Sequence, residues 1–314
     1  VSPLAHPPSN NAKISVNTRH KCFFFIADWH SLTTHPHPGD VTANVRKILS
    51  EYLACGIDPE KAAIYVQSDV KEVLELYLYL NMNAYLGELQ RVTSFKEKAR
   101  KQPENVNAGL LTYPTLMAAD ILIHRADKVP VGKDQEQNME MARKFARRFN
   151  TIYGVEFFPE PQSYSFGGDA IKVPGLDGSG KMGKSEGNAI YLIDDAATIR
   201  KKVMKAVTDS GPTQPNSEKP EAIANLFTML KIVSSADTYD YFNEKYNACE
   251  IRYGDLKKQL AEDIVNFTSP IRERILAYAA DTEYMDKVAR EGAEKARASA
   301  DKTIREVRKI IGFN

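Results

Sequence analysis

Two lysines in a glycine-rich loop are the residues best suited to chemistry on a phosphate. Lys181 and Lys184 stand three positions apart in the run Lys-Met-Gly-Lys-Ser, which follows the glycine-rich stretch 175–180. Two closely spaced ammonium groups suit a polyphosphate, which needs hydrogen-bond donors and positive charge in a small volume. A polar loop that carries two lysines by chance is the alternative.

A carboxylate in an apolar helical segment is the second candidate. Asp120 stands in the middle of the run Leu-Met-Ala-Ala-Asp-Ile-Leu-Ile, residues 116–123. Burying an unpaired carboxylate costs several kcal/mol, so Asp120 should have a partner. That partner is either internal, an arginine such as Arg125 or a backbone group, or the N–H of a ligand. An indole ring has one donor and no acceptor, so a lone buried acceptor among apolar walls suits it.

A turn before a predicted helix is the third candidate. The run Val-Pro-Val-Gly-Lys-Asp-Gln occupies residues 129–135, and a helix is predicted from about 135 to 149. Gly132 would let the backbone approach a ligand, and the helix N-terminus offers unpaired N–H groups. A plain structural turn is the alternative.

A strand–helix–strand pattern would position these groups. Residues 22–27 form a continuous apolar run typical of a buried strand, and residues 63–66 form the next. Between them, Asp40 is predicted to cap a helix that ends near Gly56. Strand, helix and strand within about 45 residues predict a βαβ crossover and a parallel sheet. Ligands bind beyond the carboxyl ends of such strands, and His30 follows the first strand there. His30 is therefore a candidate ligand contact, or alternatively a capping or loop histidine.

The second half of the chain is predicted to be helical. Amphipathic helices are predicted at 195–207, 221–233, 236–246, 253–267, 271–280 and 284–311. The predicted fold is therefore α/β, with a Rossmann-like doubly wound parallel sheet in residues 1–188 and an all-helical domain in residues 189–314. Basic residues along the last helix either pair with acids and face solvent or contact RNA.

Composition limits the class of protein. The 314 residues include 43% apolar and 26% charged residues, no apolar run of transmembrane length, and no apolar signal-peptide centre in residues 1–21. Three widely separated cysteines argue against a zinc site or disulfide framework and fit a reducing cytoplasm. The 42 basic and 41 acidic residues nearly cancel, so a nucleic-acid partner would need a local basic patch.

Together these motifs resemble those of bacterial tryptophanyl-tRNA synthetases, which are class I aminoacyl-tRNA synthetases. The resemblance runs from about Cys22 to the C-terminus, and its motifs keep the family's order. They are Phe25-Ile26-Ala27-Asp28-Trp29-His30, Gly56-Ile57-Asp58-Pro59, Gly87-Glu88-Leu89, Phe95-Lys96-Glu97-Lys98, Gly109-Leu110-Leu111-Thr112-Tyr113-Pro114, Met117-Ala118-Ala119-Asp120-Ile121-Leu122, Val129-Pro130-Val131-Gly132-Lys133-Asp134-Gln135 and Lys181-Met182-Gly183-Lys184-Ser185. The last looks like the Lys-Met-Ser-Lys-Ser signature, with Gly183 for the first serine, an exchange expected to be tolerated.

The resemblance implies a ligase that activates L-tryptophan with ATP and transfers it to tRNA(Trp). It implies that Lys181, Lys184 and Lys98 are catalytic and contact the phosphates, with Mg²⁺ entering with ATP and no tightly bound metal. The implied ATP-binding residues are Gly132, Lys133, Asp134, Ile171, Lys181, Met182, Gly183, Lys184 and Ser185. The implied tryptophan-binding residues are Asp120, Met117, Tyr113, Gln135, His30, Val129 and Val131. It also implies a cytoplasmic homodimer whose helical C-terminal part reads the anticodon.

One segment departs from the family pattern. Class I enzymes carry a second, His-Ile-Gly-His-type signature near the N-terminus, whereas this chain has no glycine before Gly39. The ATP contacts of that signature cannot be assigned to any residue here. A non-catalytic tryptophan-binding paralogue is therefore the alternative function, and a tyrosine-specific relative is a weaker one.

Overall fold

The structure, a computed structural model, describes residues 20–132, 135–164, 173–183 and 186–313. It divides into two compact units. One comprises Val1–Asp169 with Asp281–Asn314, and the other comprises Ala170–Ala280. No helix in the described ranges is long and apolar enough to cross a membrane.

A strand–helix–strand segment begins the first unit. Strand β1 (Cys22–Ile26) pairs in parallel with β2 (Ala62–Val66), from Cys22 opposite Ala62 to Ile26 opposite Val66. A short helix, α1 (Asp28–Ser31), follows β1, and α2 (Pro38–Ala54) leads to β2. The predicted parallel pairing is confirmed.

The sequence predicted both ends of α2, a cap at Asp40 and an end near Gly56, and the structure agrees with only the second. The predicted cap, Asp40, is wrong, because Asp40 lies in the first helical turn and the His37 side chain accepts a hydrogen bond from the N–H of Gly39. Pro38 occupies the first helical position, where its missing N–H costs nothing. The predicted end at Gly56 is confirmed. Gly56 has φ of +96°, and its N–H and that of Ile57 bond back to the last helical carbonyls, as in a Schellman motif.

Five further helices and a second parallel pair of strands follow in the first unit. The helices are α3 (Glu72–Met82), α4 (Leu86–Leu89), α5 (Thr93–Lys101), α6 (Ala108–Leu122) and α7 (Glu136–Tyr153). Strand β3 (Lys128–Pro130) pairs in parallel with β4 (Gln162–Tyr164). The apolar faces of α3, α6 and α7 supply much of the core.

The last helix, α12 (Thr282–Ile311), belongs to this first unit. It packs so closely on β2 that a Cβ on Gly292 would lie 1.8 Å from the carbonyl oxygen of Ile64. The second compact unit therefore comprises residues 170–280, whereas the predicted domain boundary lies between residues 188 and 189. Amphipathic spacing identifies a helix but does not indicate which core its apolar face covers.

A partly buried histidine ties α12 to the strands. The Nε2 atom of His124 shares a 2.9 Å hydrogen bond with the Tyr65 hydroxyl, and its Nδ1 atom shares one of 3.2 Å with Ser299 of α12. The imidazole stacks on Phe23 with 4.0 Å between ring centres. Burial lowers the pKa of His124 to about 4, so the ring is neutral at physiological pH.

The second unit has a separate core built from helices. They are α8 (Ala196–Met204), α9 (Glu221–Val233), α10 (Ala236–Asn247) and α11 (Tyr253–Ala280). The predicted helical texture is confirmed, but the two predicted helices 253–267 and 271–280 are one helix that continues through Pro270.

Candidate active site

Asp120 is a buried acceptor with two donors. It lies on α6, whose N-terminus is capped by Asn107, and only 5% of its surface is exposed. Its Oδ2 atom accepts a 2.8 Å hydrogen bond from Nε2 of His30, and its Oδ1 atom accepts a 2.7 Å bond from Nε2 of Gln67. An internal arginine as its partner is wrong, because the guanidinium of Arg125 lies over Phe157 instead.

The ends of the two paired strands supply these donors. Asp28 and His30 follow β1, and Gln67 follows β2. The N–H of Trp29 is shared between Oε1 of Gln67 at 3.2 Å and Oδ1 of Asp28 at 3.0 Å. The Asp28 oxygen also accepts from the N–H of Ser68. Side chains at the carboxyl edge of the strands thus converge on one carboxylate, as expected for a ligand site in a parallel sheet.

Burial and hydrogen bonding oppose each other at Asp120. Burial raises the pKa of its carboxyl above the ordinary value, and the hydrogen bonds from His30 and Gln67 act in the other direction. The other ring nitrogen of His30, Nδ1, is buried without a hydrogen-bond partner within the described ranges. A buried acceptor without a hydrogen bond is unfavourable, and a ligand that donates a hydrogen bond to it would remove that penalty.

An aromatic ring connects His30 to a lysine. The rings of His30 and Tyr113 lie 4.4 Å apart, and Nζ of Lys98 lies 3.3 Å from the centre of the Tyr113 ring. Burial lowers the pKa of Lys98 and raises that of the Tyr113 hydroxyl. The structure thus brings together four of the predicted residues, Lys98, Tyr113, His30 and Asp120.

The remaining described residues predicted for this site pack on the core of the first unit or form the turn before α7. Met117, Val129 and Val131 are partly buried against the core of this unit. Gln135 is the N-cap residue of α7, and its side chain accepts from Nδ2 of Asn138 at 2.9 Å. Its own N–H bonds to the carbonyl of Gly132 at 2.9 Å, which closes the predicted turn. Lys133, Asp134 and Ile171 lie outside the described residues.

A buried amide organises the lysine loop in the second unit. Asn188 is 6% exposed. Its Nδ2 atom donates to Asp177, to Ser179 and to the carbonyl of Lys181 at 2.9–3.1 Å, and its Oδ1 atom accepts from the N–H of Gly183 at 2.9 Å. The loop therefore wraps around one side chain while Lys181 stays exposed.

The loop glycines differ in what a side chain would meet. A Cβ on Gly175 would lie 2.2 Å from Nδ2 of Asn188, whereas one on Gly183 would lie 3.3 Å from the flexible Cγ of Glu186. Met182 anchors the loop, because its N–H bonds to the carbonyl of Val173 at 2.9 Å and it packs on the second core. Lys184 and Ser185 lie outside the described residues, as do residues 1–19.

Several basic residues of α12 have structural partners. Arg308 makes two hydrogen bonds to the Glu75 carboxylate, Arg297 donates to the carbonyl of Asp69, and Lys295 to that of Pro59. Arg305 pairs with Asp301 one helical turn away. For these four side chains the contacts favour a structural role over RNA contact. Three of them hold α12 against its own unit, and Arg305 forms an ion pair within the helix.

Comparison with known proteins decides the family. The family model for tRNA synthetases class I (W and Y) matches residues 10–269. The chain is 77% identical over 300 residues to the tryptophan–tRNA ligase of Porphyromonas gingivalis, covering 96% of this chain and 92% of that one. The chain belongs to the class I tRNA synthetases of the tryptophan and tyrosine family.

Two further class I relatives extend the comparison. A tryptophan–tRNA ligase of Listeria monocytogenes is 40% identical, over 94% of this chain and 88% of that one. The crystal structure of a Campylobacter jejuni tryptophanyl-tRNA synthetase complexed with ADP and tryptophan aligns with a TM-score of 0.82 and 32% identity, over 94% of this chain and 91% of that one. The predicted fold class and family are confirmed, and the non-catalytic alternative finds no support among these class I relatives.

Sequence reasoning missed two amides, one beside Asp120 in the first unit and one in the lysine loop of the second. Gln67 directly follows β2, so the rule that drew attention to His30 after β1 would have found it. Asn188 stands three residues after the lysine run, but one asparagine in a polar loop carries no signal that it will be buried.

Proposed function

We propose that the chain is a tryptophan–tRNA ligase, which forms tryptophanyl-adenylate from L-tryptophan and ATP and then transfers the acyl group to tRNA(Trp). The observation that carries the proposal is the buried carboxylate of Asp120, held by His30 and Gln67 beside an aromatic wall. A lone acceptor in such a place suits the indole N–H. The names of the similar ligases support the same substrate.

The amino acid is assigned to the first unit. Asp120 accepts the indole N–H, and Tyr113, Met117, Gln135, His30, Val129 and Val131 surround the ring. A site that must satisfy a buried polar group rejects rings that lack the matching donor by factors of up to about 10⁴. That selectivity would favour tryptophan over phenylalanine without further contacts.

Two sets of residues are assigned to the nucleotide, as the resemblance implies. Gly132, Lys133, Asp134 and Ile171 serve the adenosine, and Lys181, Met182, Gly183, Lys184, Ser185 and Lys98 serve the phosphates, with Mg²⁺ bound to ATP. The Campylobacter jejuni enzyme, which was crystallised in complex with ADP and tryptophan, supports the binding of an adenine nucleotide and of tryptophan. Attack of the tryptophan carboxylate on the α-phosphate needs alignment and positive charge more than covalent help from the protein.

The tRNA and a second copy of the chain are the proposed macromolecular partners. The helical C-terminal part, residues 189–314, is assigned to the tRNA anticodon. Exposed apolar residues of α3, together with Tyr85 before α4 and Leu86 within it, support a homodimer, since such a stripe is unusual on a monomer surface. They are Leu74, Leu78, Met82, Tyr85 and Leu86. A reducing cytoplasm remains the proposed location.

Amino-acid-dependent exchange of pyrophosphate into ATP tests the function. Tryptophan should support exchange and charging of tRNA(Trp), and tyrosine should be slower by a factor on the order of 100 or more. Tight tryptophan binding without exchange would favour the non-catalytic alternative. Faster exchange with tyrosine than with tryptophan would favour the tyrosine-specific one.

A further inference from the structure

Gln67 holds the acceptor of the pocket in one orientation. It is 1% exposed, and its Nε2 atom donates to Oδ1 of Asp120 at 2.7 Å while its Oε1 atom accepts from the N–H of Trp29. If the amide were turned over, its oxygen would face a carboxylate oxygen and its NH₂ would face an N–H. Both contacts would then be repulsive, so the amide has one stable orientation.

The two donors to Asp120 bind different oxygens of its carboxylate. A carboxylate offers about four lone-pair sites, and His30 and Gln67 take one on each oxygen. Because each oxygen is fixed by its own donor, the carboxylate cannot rotate without losing a hydrogen bond in a buried place. The remaining acceptor sites therefore have fixed directions, and preorganised groups of this kind bind with less loss of entropy.

We propose that Gln67 is a specificity-positioning residue, which orients the Asp120 carboxylate so that the pocket prefers a side-chain ring with an N–H over a ring of the same shape without one. This inference rests on the proposed function. It assigns Gln67 no contact with the reacting atoms, since its polar atoms are already used by Asp120 and Trp29.

The competing role is purely structural. Gln67 joins the end of β2 to the start of α1, so its removal would destabilise this edge of the sheet whatever ligand binds. A structural role would weaken the use of every amino acid by the same factor. A positioning role weakens tryptophan selectively, because an analogue without the N–H never uses the Asp120 acceptor.

The test compares tryptophan with benzothienylalanine, in which a ring sulfur replaces the indole N–H. We expect Gln67→Met, which keeps the length but removes both polar atoms, to lower the ratio of kcat/KM for tryptophan over the analogue by about tenfold, in pyrophosphate exchange. Asn150→Leu is the matched control. That amide also joins two segments of the first unit, through Phe157 and Phe158, but lies outside the site, so the ratio should stay within about twofold.

A second variant covers the case in which Gln67→Met does not fold. Gln67→Asn keeps an amide for the N–H of Trp29 but is one methylene short of Asp120, and it should lower the same ratio. An unchanged ratio in either folded variant, with tryptophan activity intact in the parent chain, would overturn the positioning role alone. A parent chain that does not use tryptophan would overturn the proposed function and this inference with it.

Discussion

The ammonium nitrogen of Lys98 lies 3.3 Å from the centre of the Tyr113 ring. A cation over an aromatic face in a partly desolvated place gains about 0.5–2 kcal/mol. The lysine assigned to the phosphates thus rests on a wall of the proposed amino acid pocket. Lys98→Met keeps the apolar stem over the ring and removes the charge.

We therefore expect Lys98→Met to lower the rate of tryptophan-dependent exchange by a factor on the order of 100, as is typical for the loss of one charge-stabilising group. Tryptophan affinity, measured by calorimetry without ATP, should change by less than about threefold, because the pocket wall remains. Lys96→Met, at an exposed position of the same helix, is the control. Equal exchange rates in the two variants would contradict the role of Lys98.

Asp120→Asn replaces one acceptor oxygen with a donor of the same size. The new NH₂ group faces either Nε2 of His30 or Nε2 of Gln67, both of which now donate to Asp120. Tryptophan binding should weaken by about 1–3 kcal/mol, the scale of a hydrogen bond to a charged group. Calorimetry measures this directly, with Asp286→Asn, a carboxylate that is 66% exposed, as the control. Unchanged tryptophan affinity would remove Asp120 from the pocket.

Asp120, Gln67 and α12 show which parts of the site and of the fold could be predicted from the sequence. Asp120 was predictable because a carboxylate in an apolar helix is costly unless it is paired. The rule for strand ends pointed to His30 and would also have pointed to Gln67. Their meeting at Asp120 was not predictable, because it depends on the register of β1 with β2. Likewise, the spacing of α12 predicted a helix, but its docking on β2 depends on Gly292 meeting the backbone of Ile64.

The lysine loop allows a matched pair of glycine substitutions. Gly175→Ala would place a Cβ 2.2 Å from Nδ2 of Asn188, so the amide that organises the loop must move. Gly183→Ser restores the residue of the family signature, and among the described residues its Cβ meets the flexible side chain of Glu186 at 3.3 Å. Gly175→Ala should raise the KM for ATP by about tenfold, whereas Gly183→Ser should stay within about twofold. Similar values of KM in the two variants would refute the organising role of Asn188.

His124 should make stability depend on pH. Its pKa falls from 6.5 to about 4 on burial, so the unfolded chain binds this proton more readily than the folded chain. The stabilisation is fully present above pH 6.5 and is lost as the pH falls from there through 4. The loss is about 3 kcal/mol at most, since each unit of pKa difference corresponds to about 1.4 kcal/mol.

Urea unfolding between pH 7 and pH 4.5 measures this dependence. His124→Gln cannot take up the proton, so its free energy of unfolding should fall less than that of the parent chain over this range. His35→Gln, at an exposed position, is the control and should follow the parent chain. Parallel curves for the parent chain and His124→Gln would contradict a neutral imidazole with a lowered pKa.

The exposed apolar stripe predicts where a second copy of the chain binds. Leu74, Leu78 and Met82 recur every four residues on one face of α3, and Met82 is 75% exposed. Burying this stripe in a homodimer removes apolar surface of both copies from water, which favours association. A glutamate introduced into the stripe would lose its hydration in the interface, which opposes association. Met82→Glu and Leu78→Glu should therefore shift the chain from dimer to monomer in light scattering after gel filtration. Leu276→Glu, an equally drastic change at an exposed position of α11, should leave the dimer intact. A dimer that survives both α3 substitutions would place the interface on another face.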